Sequence, residues 1–168
     1  MKAIFCFFFL IFITIQADAK ITWLSPSGDT LPPIFMIGQH SEAFEKLNSS
    51  SNTLLQVCQN DVYLAYDKWL HVLAELEATA DQLAFNLKGT KLWCSIFWNQ
   101  DGTIRHFAYH PKPGSENIDH EAFTQLLKVF IVNYKLPIQA MQGFYNYGSV
   151  VFPIPSKKQL ASRNPIKP

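Results

Sequence analysis

From Asn60 onward, apolar residues recur at Val62, Tyr66, Trp69, Leu73, Leu76, Ala80, Leu83 and Leu87, in spacings of four and three. At 3.6 residues per turn these positions fall on one stripe of a helix, with Lys68, Glu75, Glu77 and Asp81 largely elsewhere. The pattern predicts an amphipathic helix over 61–87, capped by Asn60 or Asp61 and stopped at Lys88-Gly89. Leu70 and Val72 widen the stripe beyond a coiled-coil seam, which favours packing onto a sheet. The period then changes to two. KLWCSIFW (91–98) is dense in residues that suit a pleated surface, Asp101-Gly102 marks a tight hairpin, and TIRHFAYH (103–110) is the return strand. Cys94, Ile96 and Trp98 share a face. Ile104 joins them across a three-residue loop, while Phe107 and Tyr109 are out of step with it, so a bulge near Arg105–His106 is expected.

Residues 111–118 read as a loop. Asp119 caps a helix running through Tyr134, with Ala122, Phe123, Leu126, Leu127, Phe130 and Ile131 as its apolar face and Leu136-Pro137 as its end. FYNYGSVVFPI (144–154) reads as a third strand. Alternation places Tyr145, Tyr147, Ser149 and Val151 on one face, and Asn146, Gly148, Val150 and Phe152 on the other. Pro153 and Pro155 suit a sheet edge. Before the long helix the signal weakens. Residues 20–40 read as an irregular arm with a short strand near Ile34–Ile37. Residues 41–47 give one or two helical turns with Ser41 as cap, 48–52 a loop, and 53–58 strand or helix alike. The expected class is α+β: an antiparallel sheet of three or more strands in β-β-α-β order, preceded by the long packing helix. This makes a single domain over 20–155, followed by a polar, disordered tail over 156–168.

The N-terminus adds an address. MKAIFCFFFLIFITIQADAK has a basic Lys2, an apolar run from Ala3 to Ile15 and the small-x-small pattern Ala17-Asp18-Ala19. These are the marks of a cleavable signal peptide over 1–19, cut after Ala19. The apolar run is shorter than the roughly 20 residues a spanning helix needs. The expected location is periplasmic or secreted, with no membrane span after cleavage. The net charge of +1 is too small to point to nucleic acid as a partner. Cys58 and Cys94 remain after cleavage, and in an oxidising compartment they either join as a disulfide or stay buried as small hydrophobes.

Little in the chain resembles reaction chemistry. His106 and His110 would share a metal on a helix, but on a strand they lie about 13 Å apart at roughly 3.3 Å per residue. Even with His120 nearby they fall short of a metal set, and they read as surface histidines beside a loop. Glu75 and Glu77, two apart on a helix, point in different directions. Cys94 faces the predicted core, and Asp101 is explained by its turn. No catalytic residue, metal site or cofactor is expected, and the chain reads as a non-enzyme.

The stretch from Lys91 to Ile154 resembles the TonB C-terminal domain. The resemblance is carried by the apolar strand KLWCSIFWNQDGTI, the return strand, a loop containing Lys112-Pro113, the helix EAFTQLLKVFIVNYKLP with its aromatic and proline at the exit, and the final strand YGSVVFPI. The membrane anchor and proline-rich spacer of that family are not found. The resemblance implies a binding mode in which the last strand, here Tyr145, Asn146, Tyr147, Gly148, Ser149, Val150 and Val151, pairs with an extended segment of an envelope protein, an outer-membrane protein among the candidates. The main chain supplies affinity and alternate side chains supply choice. A Tyr-rich edge also permits self-association. The alternative function is binding of a small apolar ligand in an aromatic pocket between sheet and helix, lined by Trp69, Trp93 and Trp98.

Overall fold

A computed structural model describes residues 31–116 and 118–155. The signal-peptide and C-terminal-tail readings lie outside the described residues. Among the described residues nine elements follow in order: β1 (Ile34–Met36), α1 (Ser41–Ser50), β2 (Asn52–Thr53), α2 (Leu54–Val57), α3 (Val62–Gln82), β3 (Lys91–Trp98), β4 (Ile104–Pro111), α4 (His120–Asn133) and β5 (Phe144–Val151). The strands form one mixed sheet in the order β1-β4-β3-β5-β2. Its centre, β4-β3-β5, is antiparallel as the sequence pattern predicts. Each flank carries a short parallel strand, β1 beside β4 and β2 beside β5. These flanking strands correct the purely antiparallel expectation. With three and two residues they are too short to show an alternation.

The hairpin follows from its turn chemistry. Asn99 N–H donates to Thr103 O at 2.9 Å and Gly102 N–H to Asn99 O at 3.0 Å. Gly102 takes φ +86°, a conformation that favours glycine. Thr103 donates to the Asp101 carboxylate from its side chain at 2.7 Å and its backbone at 3.1 Å, and Lys135 Nζ approaches at 3.2 Å. Those bonds, the Thr103 hydroxyl foremost, hold the Asp101 carboxyl down at about 2. Immediately after the turn the register shifts, with Phe97 opposite His106 and Trp98 opposite Ile104. Arg105 is the extra residue. This is the expected bulge, and it brings Ile104, Phe107 and Tyr109 together into the main core.

That core lies between one face of the sheet and the pair α3 and α4. Leu92, Cys94, Ile96 and Trp98 meet Trp69, Val72, Leu73, Leu76 and Ala80 of α3 and Phe123, Leu126, Leu127 and Phe130 of α4. The helix stripe is therefore only partly buried as predicted. Val62, Tyr66 and Leu83 are exposed. α3 also stops five residues before the expected 87. Ala84 enters the left-handed region at φ +53°. Phe85 N–H returns to Ala80 O at 2.8 Å and Ala84 N–H to Asp81 O at 3.1 Å, a Schellman ending built without glycine. Leu87 still reaches the core, from an irregular segment. Replacing Ala84 with Gly removes the left-handed penalty at some cost in unfolded-chain entropy, so Ala84→Gly is expected to stabilise the protein by about 0.5–1 kcal/mol in urea titration.

The opposite face of the sheet is covered by α1, a full helix where one or two turns and a loop are expected. Its cap position is His40 rather than Ser41. Phe44 packs edge-on against Phe97 at 5.8 Å and Phe35 at 5.9 Å, and with Leu47 and Ala43 it closes a second small core over Leu31, Phe35 and Ala108. Burial on both faces explains why β3 is almost continuously apolar.

Candidate functional site

β5 pairs with β3 along its whole length, Phe144 opposite Trp98 through Val151 opposite Lys91. On its other side β2 reaches only Phe144 and Tyr145. Among the described residues no strand pairs with Asn146–Val151 on that side. The direction of the main chain can be read at the end of the strand. Phe152 N–H donates to Thr90 O at 2.9 Å and Phe152 O accepts from Gly89 N–H at 3.1 Å, so residue 152 faces β3. Peptide groups alternate along an antiparallel strand. Val150, Gly148 and Asn146 therefore also face β3, while Val151, Ser149 and Tyr147 aim their N–H and C=O outward.

The side chains follow the predicted two-face division. Tyr145 stacks on Phe97 at 5.4 Å and covers core. Tyr147 is 58% exposed, and Ser149 and Val151 are exposed beside it. On the helix-facing side, Val150 is buried and Gly148 lies under the Trp69 indole, so close that a Cβ at 148 would stand 2.9 Å from the ring. Of the seven residues proposed from sequence, Tyr147, Ser149 and Val151 thus combine outward backbone with exposed side chains. Tyr145 is already paired with β2.

The tryptophan pocket does not assemble. Trp69 and Trp98 are buried in the core between sheet and helices, Trp98 stacked on Phe144 at 5.2 Å with its Nε1 lacking a hydrogen-bond partner. Trp93 sits five positions before Trp98, and an odd separation on a strand reverses the face. It lies on the other side of the sheet, 6.0 Å from His110 and beneath Lys112 Nζ at 5.7 Å. The cysteines do not form a disulfide either. Cys58 and Cys94 are both free and buried, and burial pushes the Cys94 thiol up to about 12, which makes it a packing group.

The histidines are likewise redistributed. His106 is fully buried rather than at the surface, because the bulge turns it inward between Phe35 and Phe97, with Nδ1 3.0 Å from Pro32 O. His110 stays exposed, and His120 approaches the Tyr109 hydroxyl at 3.5 Å. Among the described residues no group of three His, Cys, Asp or Glu is placed to hold a metal. One arrangement escaped the sequence reading. His71 Nδ1 lies 3.2 Å from the Tyr134 hydroxyl, and its Nε2 lies 3.7 Å from Glu75. Burial, reinforced by Glu75, pushes the Tyr134 phenol above its ordinary range. A phenol held neutral in this way is a poor nucleophile, so the triad acts as a clip between α3 and α4. Only the His71/Glu75 spacing of four was visible in the sequence.

The site thus belongs to an α+β protein in which, among the described residues, no strand pairs with Asn146–Val151 on the outer side of β5, while α2 lies against that strand. Among known proteins, no family model, curated protein or solved structure matches the chain.

Proposed function

We propose that the chain is an exported, non-enzymatic interaction module that binds an extended segment of a cell-envelope protein by strand addition along the outer edge of β5. The observation that carries the reading is the outward-facing main chain of Tyr147, Ser149 and Val151 beyond the reach of β2. Such an edge offers a ladder of hydrogen bonds to any extended chain, and Tyr147 offers an adjacent apolar surface. The signal-peptide pattern of residues 1–19 supports export. The β-β-α-β order over 91–151, with β5 antiparallel to β3, is consistent with the resemblance to the TonB C-terminal domain. Among the described residues no helix is long and apolar enough to cross a membrane.

A photo-reactive amino acid at Tyr147 and a pull-down from envelope extract test the reading. The expected result is a specific protein adduct that Ser149→Pro reduces at least about tenfold, since proline removes an outward N–H and obstructs the ladder. That substitution leaves the bonds to β3 intact, and the preceding Gly148 already has the extended backbone that a following proline prefers. The folded domain should persist with only a modest fall in melting temperature. Persistence of the adduct in Ser149→Pro, or recovery of self-adducts alone, would overturn strand addition.

A further inference from the structure

Beyond β2 and α2, which both lie against β5, the rest of its outer edge has a roof, and its chemistry is uneven along its length. On a wheel of 100° per residue, with Trp69 pointing at Gly148, the residues Lys68, His71 and Glu75 fall on one flank of α3. That flank faces α4: Lys68 Nζ donates to Pro137 O just beyond it, and His71 meets Tyr134. α4 itself stands over the β4 side, where Phe123 packs on Tyr109 at 4.9 Å. Tyr63, Tyr66, Leu70, Glu77 and Asp81 occupy the opposite flank, which projects towards the outer edge of β5. Glu77 confirms the direction by accepting from Ile154 N–H at 3.0 Å, just past the end of that strand. The first half of this flank is aromatic and open, Tyr63 being 80% and Tyr66 50% exposed. Its second half is acidic, and it carries no Lys or Arg.

Resting on the strand-addition reading, we infer that this flank selects the occupant: an extended peptide laid antiparallel to β5, with basic residues at its N-terminal end and apolar side chains at alternate positions after them. α3 and β5 run in the same direction, so an antiparallel strand enters at Glu77 and Asp81 and leaves beneath Tyr66, before the start of β5 that β2 and α2 adjoin. The basic end and the peptide's entry coincide there, and its alternate apolar side chains meet Leu70 and Tyr66. A second copy of this chain fits poorly. Antiparallel pairing of two β5 edges would set the aromatic half of one α3 against the acidic half of the other.

The probes are two fluorescent peptides, acetyl-Lys-Lys-Thr-Val-Thr-Val-Thr-Val-amide and its Glu-Glu counterpart, titrated by anisotropy into the mature chain. The lysine peptide is expected to bind about fivefold more tightly, the scale of a pair of partly solvated ion pairs. Asp81→Lys should abolish or reverse that preference. Tyr66→Glu should weaken both peptides, whereas Val129→Glu, an exposed change on α4, should leave both unchanged. Equal affinities that are both lost in Ser149→Pro overturn the selection by α3 and leave strand addition standing. Binding that survives Ser149→Pro overturns both. Binding of neither peptide overturns the selection, and strand addition is then decided by the Tyr147 crosslink alone.

Discussion

Gly102→Ala is expected to destabilise the protein by about 3 kcal/mol, a large part of the total stability of a single domain. Two separate effects combine there. A Cβ at φ +86° costs about 1–2 kcal/mol. The same Cβ would overlap the carbonyl oxygen of Leu136, and that oxygen belongs to a backbone which cannot rotate away. Leu136 N–H donates to Gly102 O at 2.9 Å and Ala140 N–H to Gln100 O at 2.9 Å, so displacing the 135–140 segment loosens the seal between hairpin and loop. Gly38→Ala is the internal control. Its φ of +102° carries the conformational penalty, but nothing lies within 4 Å of the added carbon. Thermal melts of the two variants should differ by several degrees, at about 3–4 °C per kcal/mol for a chain of this size. If Gly102→Ala costs no more than Gly38→Ala, the close approach to Leu136 contributes nothing.

That glycine also shows how far the sequence could be read. Asp101-Gly102 announced a hairpin because the turn needs a positive φ, a local requirement that leaves a local mark. The bulge at Arg105 was legible for a similar reason: three large apolar residues on one strand were out of step, and only an inserted residue reconciles them. Nothing local marks the approach of Leu136 to Gly102, the placing of α1 on the second face, or the two short parallel strands. Each depends on where distant segments meet. The helix stripe misled at both ends. Val62 and Tyr66 obey the period but stay exposed while Ala65 between them packs on the core, and Leu83 precedes a left-handed turn that an alanine gives no reason to expect. The candidate site was legible as a strand with two faces. Its open side was only half legible, since the reach of β2 decides where the edge begins.

Trp69 and Gly148 hold the arrangement on which both functional proposals depend, and they should prove energetically coupled by about 2 kcal/mol. Trp69 is buried against β5 and fixes the rotation of α3 that turns Tyr66 towards the strand edge. Truncation in Trp69→Ala is expected to cost about 3–5 kcal/mol, the range for a large aromatic side chain removed from a core. Gly148→Ala acts from the other side. Its new methyl would stand 2.9–3.0 Å from three atoms of the indole, and the rigid ring must shift to admit it, a cost of about 2 kcal/mol. In a Trp69→Phe background the smaller ring leaves room, so the same Gly148→Ala change should cost almost nothing there, because alanine otherwise suits a strand better than glycine. A double-mutant cycle in urea reads the coupling directly. Additive losses would mean that the indole does not rest on Gly148, and the flank of α3 assigned to the β5 edge would lose its anchor. The same contact separates position 148 from its neighbour: a proline at Gly148 would disturb the core face of β5, whereas Ser149→Pro alters only the side turned away from β3.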